Sequence, residues 1–401
     1  MSYLNVTTQD ELRSYCGQLA RAPSIALDTE FVSERSYRPV LCLVQVVAQG
    51  QFALLDPLSI EDLTPFWEVL AAPGHETIVH AGRGEVEFCY EAVGRPPAGL
   101  FDVQIAAGLV GIEFPAGYGS LLAKLLGETP NKGETRTDWR RRPLSARQIE
   151  YALDDIRHLP AIRDKLHARL EELKRLDWLA EEMAAWHEDV QKSLSQERWR
   201  RVSGNSGLDR RSLAIVRELW RWREGEAQRR NCPSRRVLRD DLIVELARRQ
   251  TADPKRIHAV RGLDRQDLQR QIPKIAQAVQ KALSLAEADC PQARRAENQP
   301  RLSVLGQFLF SALGSIARQL DLAPGLVGSP NDVRDWITYR TGRVPGSQPP
   351  LLAHGWRAKV IGSILDDLLA GRLAIRISDP HLEHPLVFEP TDPGPSSERS
   401  A

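Results

Sequence analysis

Apolar and polar positions alternate in short runs over the first third of the chain, and the segments between those runs follow a period near 3.6. SIALDTEF (24–31), LCLVQVVAQ (41–49) and QFALLDP (51–57) read as consecutive strands, with Gln49-Gly50 as a hairpin turn between the last two. EDLTPFWEVLAA (61–72) is helical with Asp62 as its N-cap, ETIVHA (76–81) is a short strand, and GEVEFCYEAVG (84–94) is a helix closed by Gly94. DVQIAAGLVG (102–111) starts a helix at Asp102, and GSLLAKLLG (119–127) forms another that Gly127 ends. Three strands in succession, then a strand bracketed by helices, predict an α/β layer with a mixed sheet.

The remainder is patterned for helices. One long helical stretch runs from about Ser145 to Arg175, and helix-rich sequence continues to about Arg201. RVSGNSG (201–207) is a break, after which 208–285 reads as a compact bundle of about five short helices. AEADCPQARRAENQPR (286–301) has linker composition. A third helical segment follows from Leu302 to Leu373, with two short strands, LAIRISD and PLVFEP, near the end. The pattern predicts three domains, 1–200, 208–285 and 302–390, and a disordered tail over 391–401.

The overall net charge of +1 constrains no partner, but its distribution is uneven. Residues 201–280 carry 19 Lys and Arg against 10 Asp and Glu, leaving the rest of the chain acidic. Such a stretch is either a solvated Arg-rich surface or an anion-binding face. The five cysteines include no CxxC pair, which fits a reducing compartment and argues against a disulfide framework or a thiolate zinc site. No signal-peptide pattern opens the sequence, and no apolar run approaches bilayer length. A cytoplasmic protein without membrane contact is expected.

Candidate chemistry lies in the carboxylates. Asp28 and Glu30 are i and i+2 on a predicted strand, so both point the same way. Glu85 falls in the first turn of a helix, where an anion is favoured by the helix itself. In EYALDDIRHL, Tyr151 and Asp155 are one helical turn apart, with Asp154 competing at i+3. Any one of these acids alone is most simply a solvated or helix-capping group. Acids that converge in one cleft must either hold protons or be neutralised by a cation. Carboxylates without a His or Cys cluster suit Mg²⁺ or Mn²⁺, and two such ions serve phosphodiester hydrolysis.

The first ~200 residues resemble the ribonuclease D family, DEDD-type 3′→5′ exonucleases with a ribonuclease H-like fold. IALDTEF resembles the first exonuclease motif, IVHAGRGEVEF with FDVQIAAGLVG the second, and RTDWRRRPLSARQIEYALDDI the third, in the right order and at the right spacing. Tyr151 places the chain in the tyrosine branch, and the resemblance selects Asp155 over Asp154. It implies that Asp28, Glu30, Glu85 and Asp155 bind two divalent ions, Mg²⁺ or Mn²⁺, and that Tyr151 positions the attacking water. Phe31, Gln45 and His80 match positions near the substrate terminus. Glu85 departs from the family, which has Asp there, and its carboxylate reaches roughly 1.5 Å further. Three readings stay open: a working substitute on a helix set back from the site, activity reduced or shifted toward Mn²⁺, or a spent nuclease.

LDRRSLAIVRELWRWREGEAQRRNCPSRRVLRDDLIVELARRQ resembles the HRDC domain, a helical module shared by helicases and ribonuclease D, over 208–285. Arg229, Arg230, Arg235, Arg236 and Arg239 flank a Pro-containing loop and are candidate phosphate contacts. LLAHGWRAKVIGSILDDLLAG resembles the second C-terminal helical domain of ribonuclease D-like proteins, and Arg140, Arg141 and Arg142 precede the third motif as further candidate backbone contacts. The expected activity is 3′→5′ trimming of structured RNA such as tRNA precursors, with release of nucleoside 5′-monophosphates. The alternatives are a non-catalytic nucleic-acid-binding scaffold and an exonuclease directed at single-stranded DNA.

Overall fold

The computed structural model of the chain describes residues 2–129, 137–292, 304–342 and 348–391. Six strands form one sheet: β1 (Leu4–Val6), β2 (Ser24–Val32), β3 (Val40–Ala48), β4 (Gln51–Leu55), β5 (Glu76–Val79) and β6 (Leu100–Asp102), in the order β1-β4-β3-β2-β5-β6. The β2–β3–β4 meander is antiparallel, and the three remaining pairings are parallel, so the sheet is mixed as the pattern predicts. Gln49 and Gly50 both have positive φ, 50° and 76°. That is the backbone a two-residue hairpin needs to match the strand twist. β1 and β6 are three residues each, too short to show a period, and the sequence pattern gives no sign of them.

Helices flank the sheet: α1 (Gln9–Leu19), α2 (Thr64–Ala71), α3 (Arg83–Val93), α4 (Val103–Leu109), α5 (Tyr118–Leu121), α6 (Ala146–Arg157), α7 (Leu159–Glu172) and α8 (Leu176–Ser195). α2 begins later than expected; the Asp62 carboxylate accepts from the Thr64 N–H just ahead of it and is not the N-cap. The stretch expected as one helix from Ser145 is two, because the chain breaks at His158. Ser145 starts α6 with a full capping box to Gln148.

The basic module has its own core, running from Trp199 to Cys290, around α9 (Arg210–Arg230). It contains a 21-residue helix and five shorter helical segments, where about five short ones are expected. The C-terminal region has no separate core. Leu309, Leu313, Trp336 and Trp356 belong to the same buried cluster as β2, α4 and α7 of the sheet domain. Arg175, 7% exposed, fastens the two by donating to the carbonyls of Leu109, Leu320 and Asp321. The two C-terminal strands pair as an antiparallel hairpin, Leu373–Ile377 with Leu386–Pro390. Most of the expected linker, and all of the expected tail but Thr391, lie outside the described residues.

Candidate active site

β2 delivers Asp28 and Glu30 on one face near its C-terminal end, and α6 lays Asp155 against them. Ligand atoms of these three carboxylates all lie within 4.8 Å of one another. Asp154, the competing acid, instead pairs with Arg157 at 2.6 Å. The Tyr151 hydroxyl lies one turn before Asp155 on the same face of α6, close enough for the two groups to influence each other's protonation. Asp28, Tyr151 and Asp155 line a cleft with His80, Tyr118 and Leu159.

The electrostatics follow from that crowding. Burial, then the Asp155 charge, pushes the Asp28 carboxyl up. Burial, with Asp28 and Asp155 next, lifts Glu30 to about 8, and burial lifts Asp155 to about 6. Burial and the surrounding carboxylates also raise the Tyr151 phenol, so it stays protonated near neutral pH. Three carboxylates this close, with no His or Cys among them, fit a hard divalent cation, whose charge would let all three ionise together.

Glu85 is placed differently from its sequence-based expectation. It is 5% exposed, and its Oε1 accepts from the Thr29 hydroxyl at 2.5 Å. It is not one of the clustered carboxylates, although its charge is felt at Glu30. The start of α3 is firmly anchored. Asp102 accepts from the N–H groups of Ala81, Gly82 and Gln104, anchoring the turn before α3 and capping α4 with one carboxylate. A Cβ on Gly82 would stand 2.4 Å from Val79, so the helix start is also packed directly on β5. With the backbone pinned, the extra methylene of Glu85 is taken up by the bond to Thr29. Thr29, between Asp28 and Glu30 on the strand, points to the opposite face.

His80 lines the cleft, and Phe31 lies three residues beyond Asp28 on the same strand. Phe31 is 42% exposed, beside a bulge between Glu30 and Phe31, and edges onto Phe88. His80 Nε2 lies 2.8 Å from the Ala116 carbonyl, which only accepts, so that nitrogen carries a proton. Gln45 does not fall where expected. It pairs with Asp28 in register and shares its face, yet has no exposed surface, so it supports the cluster from behind and cannot touch substrate. Both ends of its amide lack a partner among the described residues.

Several candidate arginines are committed elsewhere. Arg229 and Arg230 both bond Glu226, Arg239 pairs with Asp241 at 2.9 Å, and Arg235 reaches Asp240 at 3.2 Å. Arg236 is exposed and has no ion-pair partner among the described residues; with Arg235 and Arg239 it lines a groove that includes Glu34 of the sheet domain. Arg142 forks onto Asp56 at 2.6 and 2.7 Å and bonds the Trp139 and Cys42 carbonyls, while Arg140 pairs with Asp138. Both therefore hold the approach to α6 in place. Asp102, Thr29 and Tyr118 escape sequence reasoning: the first reads only as a helix start, and the others carry no motif-level signal.

A strand-borne acid pair thus meets a Tyr-x-x-x-Asp helix over a mixed sheet, an arrangement within the span that a 3′-5′ exonuclease family covers. The family model for 3′-5′ exonucleases matches residues 3–171, and that for the HRDC domain matches 212–279. Ribonuclease D of Gluconacetobacter diazotrophicus is 35% identical over 93% of this chain and 94% of its own length, and that of Granulibacter bethesdensis is 33% identical over the same shares. The crystal structure of Escherichia coli RNase D, described as an exoribonuclease involved in structured RNA processing, superposes with a TM-score of 0.80 at 29% identity, covering 92% of this chain and 99% of that one. The chain belongs to the ribonuclease D family, and with that membership comes dependence on divalent metal. No helix among the described residues is long and apolar enough to cross a membrane.

Proposed function

We propose that this chain, a 3′→5′ exoribonuclease, trims the 3′ ends of structured RNA such as tRNA precursors, using Asp28, Glu30, Asp155 and Tyr151 as its working groups. The observation that carries the reading is the three-carboxylate cluster at a cleft whose wall is Tyr151. Family membership favours this over a non-catalytic scaffold or a DNA-directed enzyme.

Asp28, Glu30 and Asp155 would hold two divalent ions, Mg²⁺ or Mn²⁺, with Glu85 contributing its charge from outside the cluster. When bound, such a pair supplies an activated water and charge stabilisation for the leaving 3′ oxygen. The protein groups orient. Tyr151, kept protonated in the cleft beside Asp155, presents its hydroxyl to a water, so it positions the nucleophile without deprotonating it. Phe31 offers an exposed ring on which the terminal base can stack. His80, fixed by Ala116, lines the same cleft as Asp28 and Asp155 and would face the terminal nucleotide there. The basic module and Arg236 supply sequence-independent phosphate contacts.

The test is incubation of a 3′-extended structured RNA with the full chain and either Mg²⁺ or Mn²⁺. Stepwise 3′ shortening with release of nucleoside 5′-monophosphates is expected. No shortening with either metal, from folded protein, overturns the reading.

A further inference from the structure

Tyr118 is the first residue of α5 and lines the same cleft as Asp28, Tyr151 and Asp155. Its hydroxyl donates to the main-chain carbonyl of Asp154 at 2.8 Å. In an uninterrupted helix that carbonyl would accept from the N–H of His158, four residues on. Here α6 ends at Arg157, the His158 N–H turns back to the Ile156 carbonyl, and α7 begins at Leu159. The Tyr118 oxygen sits in the break, bonded to the Asp154 carbonyl and within reach of the His158 N–H. A carbonyl that the helix end leaves open is thereby satisfied from a distant segment.

Residue 154 is consequently held at both ends, its side chain by Arg157 and its carbonyl by Tyr118. Asp155 is attached to that same carbonyl carbon. The other end of the tether is equally fixed. The Tyr118 ring edges onto His80 with centroids 5.9 Å apart, and the Ala116 carbonyl is bonded by both His80 and Gln104 at 2.8 Å. Asp102 holds Gln104 and the turn that leads into α3. One chain of contacts therefore runs from the β5–α3 turn through Tyr118 to the helix that carries Asp155.

We propose that Tyr118 is a positioning residue: its hydroxyl, through the Asp154 carbonyl, sets the Asp155 carboxylate against Asp28 and Glu30, coupling the two halves of the site. The proposal rests on the assignment of Asp155 as a metal ligand made above. Removing the hydroxyl frees the last turn of α6 to rotate, and metal sites lose affinity when a ligand's support is lost.

The experiment compares the full chain with Tyr118→Phe and Tyr118→Leu. Mn²⁺ affinity is read by calorimetry, kcat and KM on a 3′-extended RNA, and melting temperature in EDTA. Both variants are expected to weaken Mn²⁺ binding by about tenfold and to lower kcat by about tenfold, with KM within about twofold. Unchanged Mn²⁺ affinity in a folded variant overturns the proposal, whatever the melting temperature does, since that marks a purely structural tyrosine. Asp155→Asn separates the two levels of the argument. If Asp155→Asn binds Mn²⁺ as well as the unsubstituted chain, the ligand assignment itself has failed and Tyr118 falls with it.

Discussion

Thr29 and Glu85 are joined by a 2.5 Å hydrogen bond between a strand hydroxyl and a helix carboxylate, and this bond holds Glu85 apart from the acids on either side of Thr29. It bears on the departure of Glu85 from the family's Asp. Asp102 and the packing of Gly82 on Val79 fix where the helix starts. The longer side chain is spent on a partner of its own.

Thr29→Val removes the donor and leaves a buried carboxylate without it. A loss of about 1–3 kcal/mol is expected in urea unfolding at neutral pH, the penalty of an unsatisfied buried polar group. Unchanged stability would mean that Glu85 finds another partner and that the bond does not fix it.

The metal-free site should make stability fall as pH rises. Glu30 at about 8 and Asp155 at about 6 lie above the ordinary carboxylate values of an unfolded chain. The folded protein then binds more protons, so their contribution is full at acid pH and is lost as pH climbs through those two values. Melting temperature in EDTA is expected to drop between about pH 4 and 8, with a shallower slope below about pH 6 in Asp155→Asn and a shallower slope throughout in the unsubstituted chain with added Mg²⁺. A slope that Asp155→Asn leaves unchanged contradicts the account.

Asp28 and Glu30 are legible because period-two alternation in β2 states their common face directly. The sheet's central strands are legible for the same reason. Asp155 is separated from Asp154 by resemblance alone until the Arg157 pair shows why Asp154 is occupied. Tyr118 and Asp102 are not legible, because each acts on main-chain groups many residues away, and carbonyls and N–H groups leave no trace in a side-chain pattern. The Arg229–Glu226 and Arg230–Glu226 pairs, three and four residues apart on α9, are legible as helix-face ion pairs from their spacing alone.

The shared core makes the C-terminal region part of the nuclease's stability. Arg175→Ala leaves three carbonyls without their donor and is expected to cost about 3 kcal/mol or more. Hydrogen exchange should show the sheet domain and the helix Val304–Gln319 losing protection together, with α9 of the basic module responding separately. Loss of protection confined to the C-terminal helices would contradict a common core.

Of the five arginines that flank the Pro-containing loop, Arg236 has no ion-pair partner among the described residues, so phosphate binding at that loop should depend on it most. Arg236→Ala is expected to weaken RNA binding uniformly across sequences and to lower the salt slope by about 1. An unchanged slope would remove this groove from the RNA path.

The central claim is that Asp28, Glu30 and Asp155 together hold the ions on which the reaction depends. Crystals grown with Mn²⁺ and measured for anomalous scattering test it most directly. The account predicts manganese among those three carboxylates, with the Glu85 carboxylate still on Thr29. Well-ordered crystals with no manganese there, or manganese ligated directly by Glu85, would contradict it.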